Sequence, residues 1–402
     1  MLDTRVRAAD HEARRRAHGA STDDDLVSAN HQDSVKNSAA ALESFLSHAS
    51  FDPSDPAALG AILTQMVDAG HDRLPLPGSG RTLTRWRALA AVAARDLGLV
   101  KLFEGHTDAL AILAELNGPA APQGSRWGVW AAEAPDARVT ATPLADGELQ
   151  LEGVKAWCSG ARALSHALVT AWLGDAPVLA AVALDQPSIS VSTQHWHAVG
   201  MRATGSGDVR FEQARAFQLG APHDYVRRAG FWQGGAGIAA CWYGAAAGIA
   251  GMVAAAVTQR AGGRPADGRP AEGRPADVHR LAHLGAIDVA LAGAAAVLRA
   301  SAAQIDADPG GNHQSAALRT RLLVETAATT VMEHAGRALG AAPLCRDARF
   351  ARAMADLPVF LRQSHAERDL AALGERLLQE RDTGIREHPD RFDLAGGARW
   401  AL

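Results

Sequence analysis

The side chains in this sequence that most suggest ligand chemistry are an indole and a hydroxyl two residues apart, Trp157 and Ser159, in the stretch 153–160 (GVKAWCSG). An indole offers a flat apolar face on which a planar ring can stack. A hydroxyl, or its backbone N–H, can donate a hydrogen bond to the polar edge of such a ring. Without further motifs, a core Trp on a strand followed by a turn is the preferred interpretation.

The composition indicates a globular protein of a reducing compartment, and we expect it in the cytoplasm. The chain has 402 residues, 48% of them hydrophobic, which is enough for two or three domains. A net charge of −4 favours neither nucleic acid nor an anionic membrane as a partner. The cysteines Cys158, Cys241 and Cys345 lie far apart, so no disulfide framework and no metal site is predicted.

The uncharged run 229–259 is rich in Ala and Gly and favours a packed helix over a membrane span. The N-terminal residues are charged and lack an apolar core, so they are not expected to form a signal peptide.

The elements that must position Trp157 and Ser159 change in type along the chain. Apolar residues recur first at helical spacing, then alternate in short runs between turn residues, and then return to helical spacing. The fold class predicted is α+β, mainly α, with an N-terminal helical domain, a central small β-barrel or sandwich, and a C-terminal four-helix bundle. The predicted boundaries are 1–40 for a polar N-terminal tail, 41–126 for the N-terminal helical domain and 127–219 for the β domain. The C-terminal helical bundle is predicted at 220–390 and a second tail at 391–402.

One segment of low complexity interrupts the predicted bundle. Residues 263–277 repeat Gly-Arg-Pro-Ala followed by Asp or Glu three times. Each Pro blocks a continuous helix, so a solvated loop is predicted there.

Four stretches of the chain resemble known motifs: 130–135 (T-E-P), 153–160 (G-x-K-x-W-I-[TS]-N), 200–212 (G-M-R-x-[ST]…V-x-F-E) and 339–348 (L-G-G…R-D-A). Acyl-CoA dehydrogenases carry these motifs in the same order, and the chain resembles that family from about residue 81 to residue 374. The resemblance implies an oxidoreductase that uses FAD for the α,β-dehydrogenation of an acyl thioester. It also implies a homodimer or homotetramer, with an electron-transfer flavoprotein as a possible partner.

The resemblance gives the pair Trp157 and Ser159 a role beside the flavin. Reduced flavin gathers negative charge near N1–C2=O and its N5 accepts hydride, so a site needs donors at the ring edge and an apolar wall. Trp157 is expected to be the wall and Ser159 a donor. The other cofactor contacts that the resemblance implies are Trp130, Ala131, Ala132, Arg260, Arg337 and Gly340. For the two arginines, a solvated position at a helix end is an equally good interpretation.

The family's catalytic glutamate, which abstracts the α-proton, has no counterpart here. Its usual place falls at Ala355 and its other place near Ile238. Asp356, displaced by one residue, and His365 are the candidate bases, although a turn or N-cap Asp and a polar helix face are the preferred interpretations. Glu104 is a third carboxylate, for which a structural role is the default.

Two other functions therefore remain open. Related flavin monooxygenases share the fold, use reduced flavin and oxygen, and need no α-proton base. They often carry His-Asp-Pro at this point, whereas residues 355–358 read ADLP. A non-catalytic member that keeps the fold is the remaining hypothesis.

Overall fold

A computed structural model describes the backbone of residues 39–261 and 277–387, with side chains except at 259–261 and 380–387. The predicted tail 391–402, the repeats up to residue 276 and all but the last two residues of the predicted tail 1–40 lie outside this range. The chain divides into two compact units, Met1–Ser50 and Phe51–Leu402. Helix α1, residues 39–48, is the described helix of the first unit.

The second unit begins with three helices, α2 to α4. An Asp caps two of them: Asp55 accepts from the N–H of Ala57 before α2, and Asp96 from the N–H of Leu99 at the start of α4. Such caps satisfy N–H groups that have no partner within the helix. The helices are α2 (Pro56–Asp68), α3 (Thr82–Arg95) and α4 (Leu97–Glu115).

Seven strands follow, and five of them close into a small barrel. The cycle of pairing is β4, β2, β3, β7, β5 and back to β4, with β1 beside β4 and β6 beside β7. Strand β4 is parallel to β1 and β2, and the other pairings are antiparallel. The strands are β1 (Trp127–Trp130), β2 (Val139–Pro143), β3 (Leu149–Cys158), β4 (His166–Leu173), β5 (Ala176–Ala183), β6 (Ile189–Ser192) and β7 (Gly207–Leu219).

Helix α4 joins the N-terminal helices to the barrel. Its buried residues Ile112 and Leu113 belong to one apolar cluster with Trp127, Leu168 and Leu179 of the strands. Burial of such side chains contributes about 1.5–3 kcal/mol each. This packing places β1 and the end of β3 beside the middle of α4. The side chain of Leu102 lies close to Gly160, and Gly105 lies close to the backbone nitrogen of Val129.

After β7 the described residues form helices, which confirms the predicted order of helices, strands and helices and the fold class. The central helix α6 is rich in Gly and Ala because neighbouring helices approach its backbone closely: a Cβ on Gly244 would lie 2.1 Å from the carbonyl oxygen of Ala90. The helices are α5 (Asp224–Arg227), α6 (Gly230–Ala261), α7 (Val278–Ala307), α8 (Gln314–Leu339), α9 (Ala341–Arg346), α10 (Ala348–Leu361) and α11 (Glu367–Glu387).

Two described helices, α6 and α7, are long and apolar enough to cross a membrane by length and composition. Half of the apolar stretch of α6 is buried in the protein, as its sequence predicted, but only 22% of that of α7 is buried. The sequence had singled out α6 alone.

Candidate functional site

Trp157 lies at the end of β3 with its indole directed outward. The pairing of β3 with β7 is irregular between Lys155 and Cys158, and Trp157 adopts a φ of +61° inside this bulge. A positive φ is uncommon for a residue with a side chain and occurs often at functional sites. The side chain of Trp157 is 57% exposed. The interpretation as a core Trp is therefore wrong, and the indole is free to form a wall.

Ser159 follows the bulge and connects it to β1. The indole N–H of Trp130 donates to the carbonyl oxygen of Ser159 at 3.1 Å. The Oγ atoms of Ser159 and Ser206 are 3.2 Å apart, and Ser206 Oγ is 2.8 Å from Thr204 Oγ1. Thr204 in turn donates to the carbonyl oxygen of Met201 at 2.7 Å. A line of hydroxyl groups thus joins the stretch 153–160 to the turn that precedes β7.

The segment 131–138, which leaves β1, forms the other side of this region. Ala131 and Ala132 are partly buried, and the next residue, Glu133, receives a hydrogen bond from the buried Lys155 at 2.8 Å. Burial alone would raise the pKa of Glu133, but the hydrogen bonds from Lys155 and Thr170 bring that pKa below its ordinary value. The segment 130–133 therefore contacts the stretch 153–160 at two points, Trp130 with Ser159 and Glu133 with Lys155. Contact of Trp130, Ala131, Ala132, Trp157 and Ser159 with a flavin remains a prediction.

Asp356 lies on α10, is 5% exposed, and accepts a hydrogen bond from the N–H of Met201 at 2.5 Å. Burial raises the pKa of its carboxyl to about 6, against the opposing effect of that hydrogen bond. Its side chain lines a cavity of about 20 Å³, room for one water, together with Asp96 and Arg352. Arg352 pairs with Asp96 at 3.5 Å. Asp356 thus holds the turn that carries Met201; its role is structural, but it acts from inside α10 and not as the N-cap or turn residue that the sequence favoured.

His365 lies between α10 and α11 and is open to solvent. Its side chain is 61% exposed, and its Nδ1 is 3.3 Å from Asp369 Oδ1. The same Asp369 accepts the backbone N–H of His365. This contact caps α11 and ties His365 to that helix. The other candidate base, Asp356, is bonded instead to the turn at Met201.

The three residues expected beside the distal part of the cofactor lie at helix ends. Arg337, in the last turn of α8, is 62% exposed and pairs with Glu333 at 2.6 Å. Gly340 follows α8 with a φ of +70°, which favours glycine. Arg260 lies in α6, and its side chain is outside the described residues. These contacts remain predictions.

The sequence did not single out Lys155, Glu133 or Ser206 as parts of this site. Lys155 carried a usable signal, because it stands between the apolar residues Val154 and Ala156, and a lysine is seldom buried without a partner. Glu133 and Ser206 carried none, since their partners Lys155 and Ser159 are distant in the chain.

Comparison with known proteins defines the fold. No model of a known protein family matches the chain. A segment of 100 residues is 33% identical to the dibenzothiophene monooxygenase of Rhodococcus erythropolis, but it spans only 23% of this chain and 24% of that protein.

Solved structures match over most of the chain. TdsC of Paenibacillus sp. A11-2 in complex with FMN and indole matches with a TM-score of 0.67 and 20% identity, over 87% of this chain and 97% of TdsC. Butyryl-CoA dehydrogenase of Megasphaera elsdenii matches with a TM-score of 0.68 and 14% identity, over 86% and 98%. KijD3, bound to FMN and a dTDP-sugar, matches with a TM-score of 0.67 and 19% identity, over 88% and 93%.

The chain has the acyl-CoA dehydrogenase-like fold. The resemblance drawn from the four motifs is confirmed at this level. Both acyl-CoA dehydrogenases and monooxygenases of sulfur compounds are found among the structures that share it.

Proposed function

We propose that this protein is a flavin-dependent oxidoreductase whose isoalloxazine ring binds beside Trp157. The observation that carries the proposal is the outward indole at a positive φ, next to Ser159 and the segment 131–133. An exposed indole stabilises a stacked planar ring, and Ser159 can donate to the ring edge. The flavin, when bound, supplies the electron transfer, and these residues orient it. Solved relatives of the fold that contain FMN support the same proposal.

The cofactor is FMN or FAD. The sequence motifs favoured FAD, with Arg260, Arg337 and Gly340 as contacts for its distal part. Neighbours of the fold bind FMN, which needs fewer of these contacts. Arg337 already pairs with Glu333 through one nitrogen, so Glu333 competes with a phosphate for that guanidinium.

Of the two reactions, the monooxygenase is favoured. An acyl-CoA dehydrogenase needs a carboxylate aimed at the substrate α-carbon, whereas Asp356 is occupied by the N–H of Met201. The segment similar to dibenzothiophene monooxygenase supports this choice. In a monooxygenase reaction, reduced flavin and O₂ transfer one oxygen atom to the substrate and release the other as water. The protein's part is then to bind the flavin and an apolar substrate and to exclude bulk water.

The dehydrogenase remains the second candidate because of one feature of Asp356. Its pKa of about 6 lies near the operating pH that suits a general base. A shift of the turn at Met201 would free the carboxylate. In that case an acyl thioester is the substrate and an electron-transfer flavoprotein is a fitting electron acceptor.

A pair of reactions with the purified protein separates the candidates. Binding of FMN and FAD is first measured by flavin fluorescence, and failure to bind either contradicts the proposal. With reduced FMN and O₂, dibenzothiophene or indole should yield an oxygenated product that carries ¹⁸O from ¹⁸O₂. Anaerobic bleaching of bound flavin by an acyl-CoA instead identifies a dehydrogenase. His365→Asn and Asp356→Asn, assayed separately, then test the two candidate bases.

We also propose that the protein works as a homodimer or homotetramer in the cytoplasm. Helix α7 is apolar, and its large apolar residues Val278, Leu281 and Val289 are exposed. Together with α6 it borders an open groove of about 590 Å³. Exposed apolar surface of this kind marks protein interfaces.

A further inference from the structure

An ion pair between the buried Lys155 and the half-exposed Glu133 ties together the two segments that carry the candidate flavin contacts. Lys155 is 1% exposed, and its Nζ donates to Glu133 Oε1 at 2.8 Å and to Thr170 Oγ1 at 2.7 Å. Lys155 lies two residues before Trp157 in β3, and Glu133 directly follows Ala132 in the segment after β1. One side-chain contact therefore links both sides of the candidate site.

Strand β4 completes the arrangement and restricts the movement of Glu133. Thr170 Oγ1 donates to Glu133 Oε1 at 2.7 Å, and the indole N–H of Trp172 donates to Oε2 at 3.2 Å. The guanidinium of Arg138 lies over the Trp172 ring, 4.3 Å from its centroid. Both oxygens of the carboxylate are thus engaged, so the backbone at residue 133 has little freedom relative to the barrel.

Lys155 stands where the regular pairing of β3 ends. It pairs with Val209, and pairing resumes only at Cys158 with Gly207. The intervening Trp157 has a φ of +61°, which is unfavourable for a residue with a Cβ and persists only where the surroundings impose it. The side chain of Lys155 is fixed inward by Glu133 and Thr170. The start of the bulge therefore has a fixed orientation, and this decides where the indole points.

We propose that Lys155 and Glu133 are positioning residues, whose ion pair sets the direction of Trp157 and of the segment 131–133 and thereby the affinity of the site for the flavin ring. The inference rests on the proposed flavin function. Neither residue has to touch the flavin. A purely structural pair would instead contribute to folding and leave the affinity of the folded protein unchanged, and the two roles give different results in a mutant cycle.

The test is a double-mutant cycle between Lys155→Met and Trp157→Ala, with the dissociation constant of FMN and of FAD measured for the full chain. Trp157→Ala removes the stacking face and is expected to weaken binding about tenfold. Lys155→Met is expected to weaken it to a similar degree. Because both act through the same indole, the double variant should be no more than about twentyfold weaker, instead of the ~100-fold expected of independent sites. The proposal is wrong if the two losses of affinity multiply in the double variant. It is also wrong if Lys155→Met alone leaves the flavin affinity unchanged.

Two further variants keep the test decisive. Glu133→Gln removes the charge of the ion pair but retains the shape and an acceptor for Lys155. If Lys155→Met does not fold, Glu133→Gln takes its place in the cycle. The same non-additivity with Trp157→Ala is then expected. Glu148→Gln is the matched control, since it removes an exposed ion pair with Arg215 from the same barrel. Flavin affinity should not change in the control, and a loss equal to that of Glu133→Gln contradicts the inference. Absence of flavin binding in the unaltered protein instead overturns the proposed function and this inference together.

Discussion

Asp356 and Met201 are joined by a hydrogen bond of 2.5 Å between the carboxylate of α10 and a backbone N–H that lies 155 residues earlier in the chain. The carbonyl oxygen of Met201 also accepts a hydrogen bond from the hydroxyl of Thr204. That hydroxyl is bonded to Ser206, and Ser206 is bonded to Ser159. The last helices of the chain and the bulge of β3 are therefore connected by one line of polar contacts. A change at Asp356 should be felt in the stability of the turn that supports the candidate flavin site.

The pH dependence of stability should reveal the buried carboxyl of Asp356. Its pKa in the folded protein is about 6, above the ordinary value of 3.8. The folded state then binds more protons than the unfolded state between these two values, so this group's contribution is present at low pH and is lost as the pH rises from 4 to 6. Asp356→Asn should remove this loss and still accept the N–H of Met201.

The measurement is urea unfolding of both proteins at pH 4.5 and pH 8. Relative to the unaltered chain, Asp356→Asn should gain about 2 kcal/mol between these two conditions, because part of the roughly 3 kcal/mol that a shift of about two pKa units is worth is already lost at pH 4.5. Asp175→Asn, in an exposed turn between β4 and β5, is the control and should show no such gain. A variant that loses stability equally at both pH values would show that the carboxylate is needed in its charged form.

A close backbone contact at Gly200 should make this position intolerant of any side chain. A Cβ there would lie 1.9 Å from the carbonyl oxygen of Ala355, which is backbone and cannot move aside as a side chain could. Gly200→Ala should therefore separate α10 from the turn at Met201 and destabilise the protein by about 1–3 kcal/mol. Thermal unfolding by circular dichroism measures the effect.

The control for this prediction is Gly374→Ala in α11. No described residue lies within 4 Å of the position that its Cβ would occupy. Alanine is favoured over glycine inside a helix by about 0.5–1 kcal/mol, so this variant should unfold at a slightly higher temperature. Equal effects of the two substitutions would mean that the contact with Ala355 does not restrict Gly200.

The loss of the indole should weaken flavin binding without harm to the fold. Trp157 is exposed, so Trp157→Ala leaves no cavity, and its removal costs the stacking face alone, about 1.4 kcal/mol, which is tenfold in affinity. Phe217→Ala removes an exposed aromatic side chain from β7 of the same barrel and should change nothing. Titration of each variant with FMN and FAD measures the difference. Unchanged affinity in Trp157→Ala would remove Trp157 from the site.

The sequence predicted the order of elements well because that order depends on local periodicity. The pairing of Trp157 with Ser159 could be proposed from the sequence because the two lie only two residues apart. It could not predict the outward turn of Trp157, which follows from a bulge defined by the partner strand β7. Nor could it predict the partners of Lys155 and Asp356, because these ion pairs and hydrogen bonds join residues far apart in the chain.

Helix α7 shows a second limit of sequence reasoning, because its apolar pattern predicts burial without naming what covers it. Its large apolar residues Val278, Leu281 and Val289 are exposed in the single chain, and Leu281 lines the groove shared with α6. If a second copy covers this face, a charge placed on it must be buried without a partner, which costs several kcal/mol. Leu281→Lys should therefore shift the protein from oligomer to monomer, as measured by sedimentation velocity. The matched change Leu378→Lys, at an exposed position of α11, should leave the sedimentation coefficient as it is. A monomeric unaltered protein, or an oligomer that tolerates Leu281→Lys, would show that α7 does not form the interface.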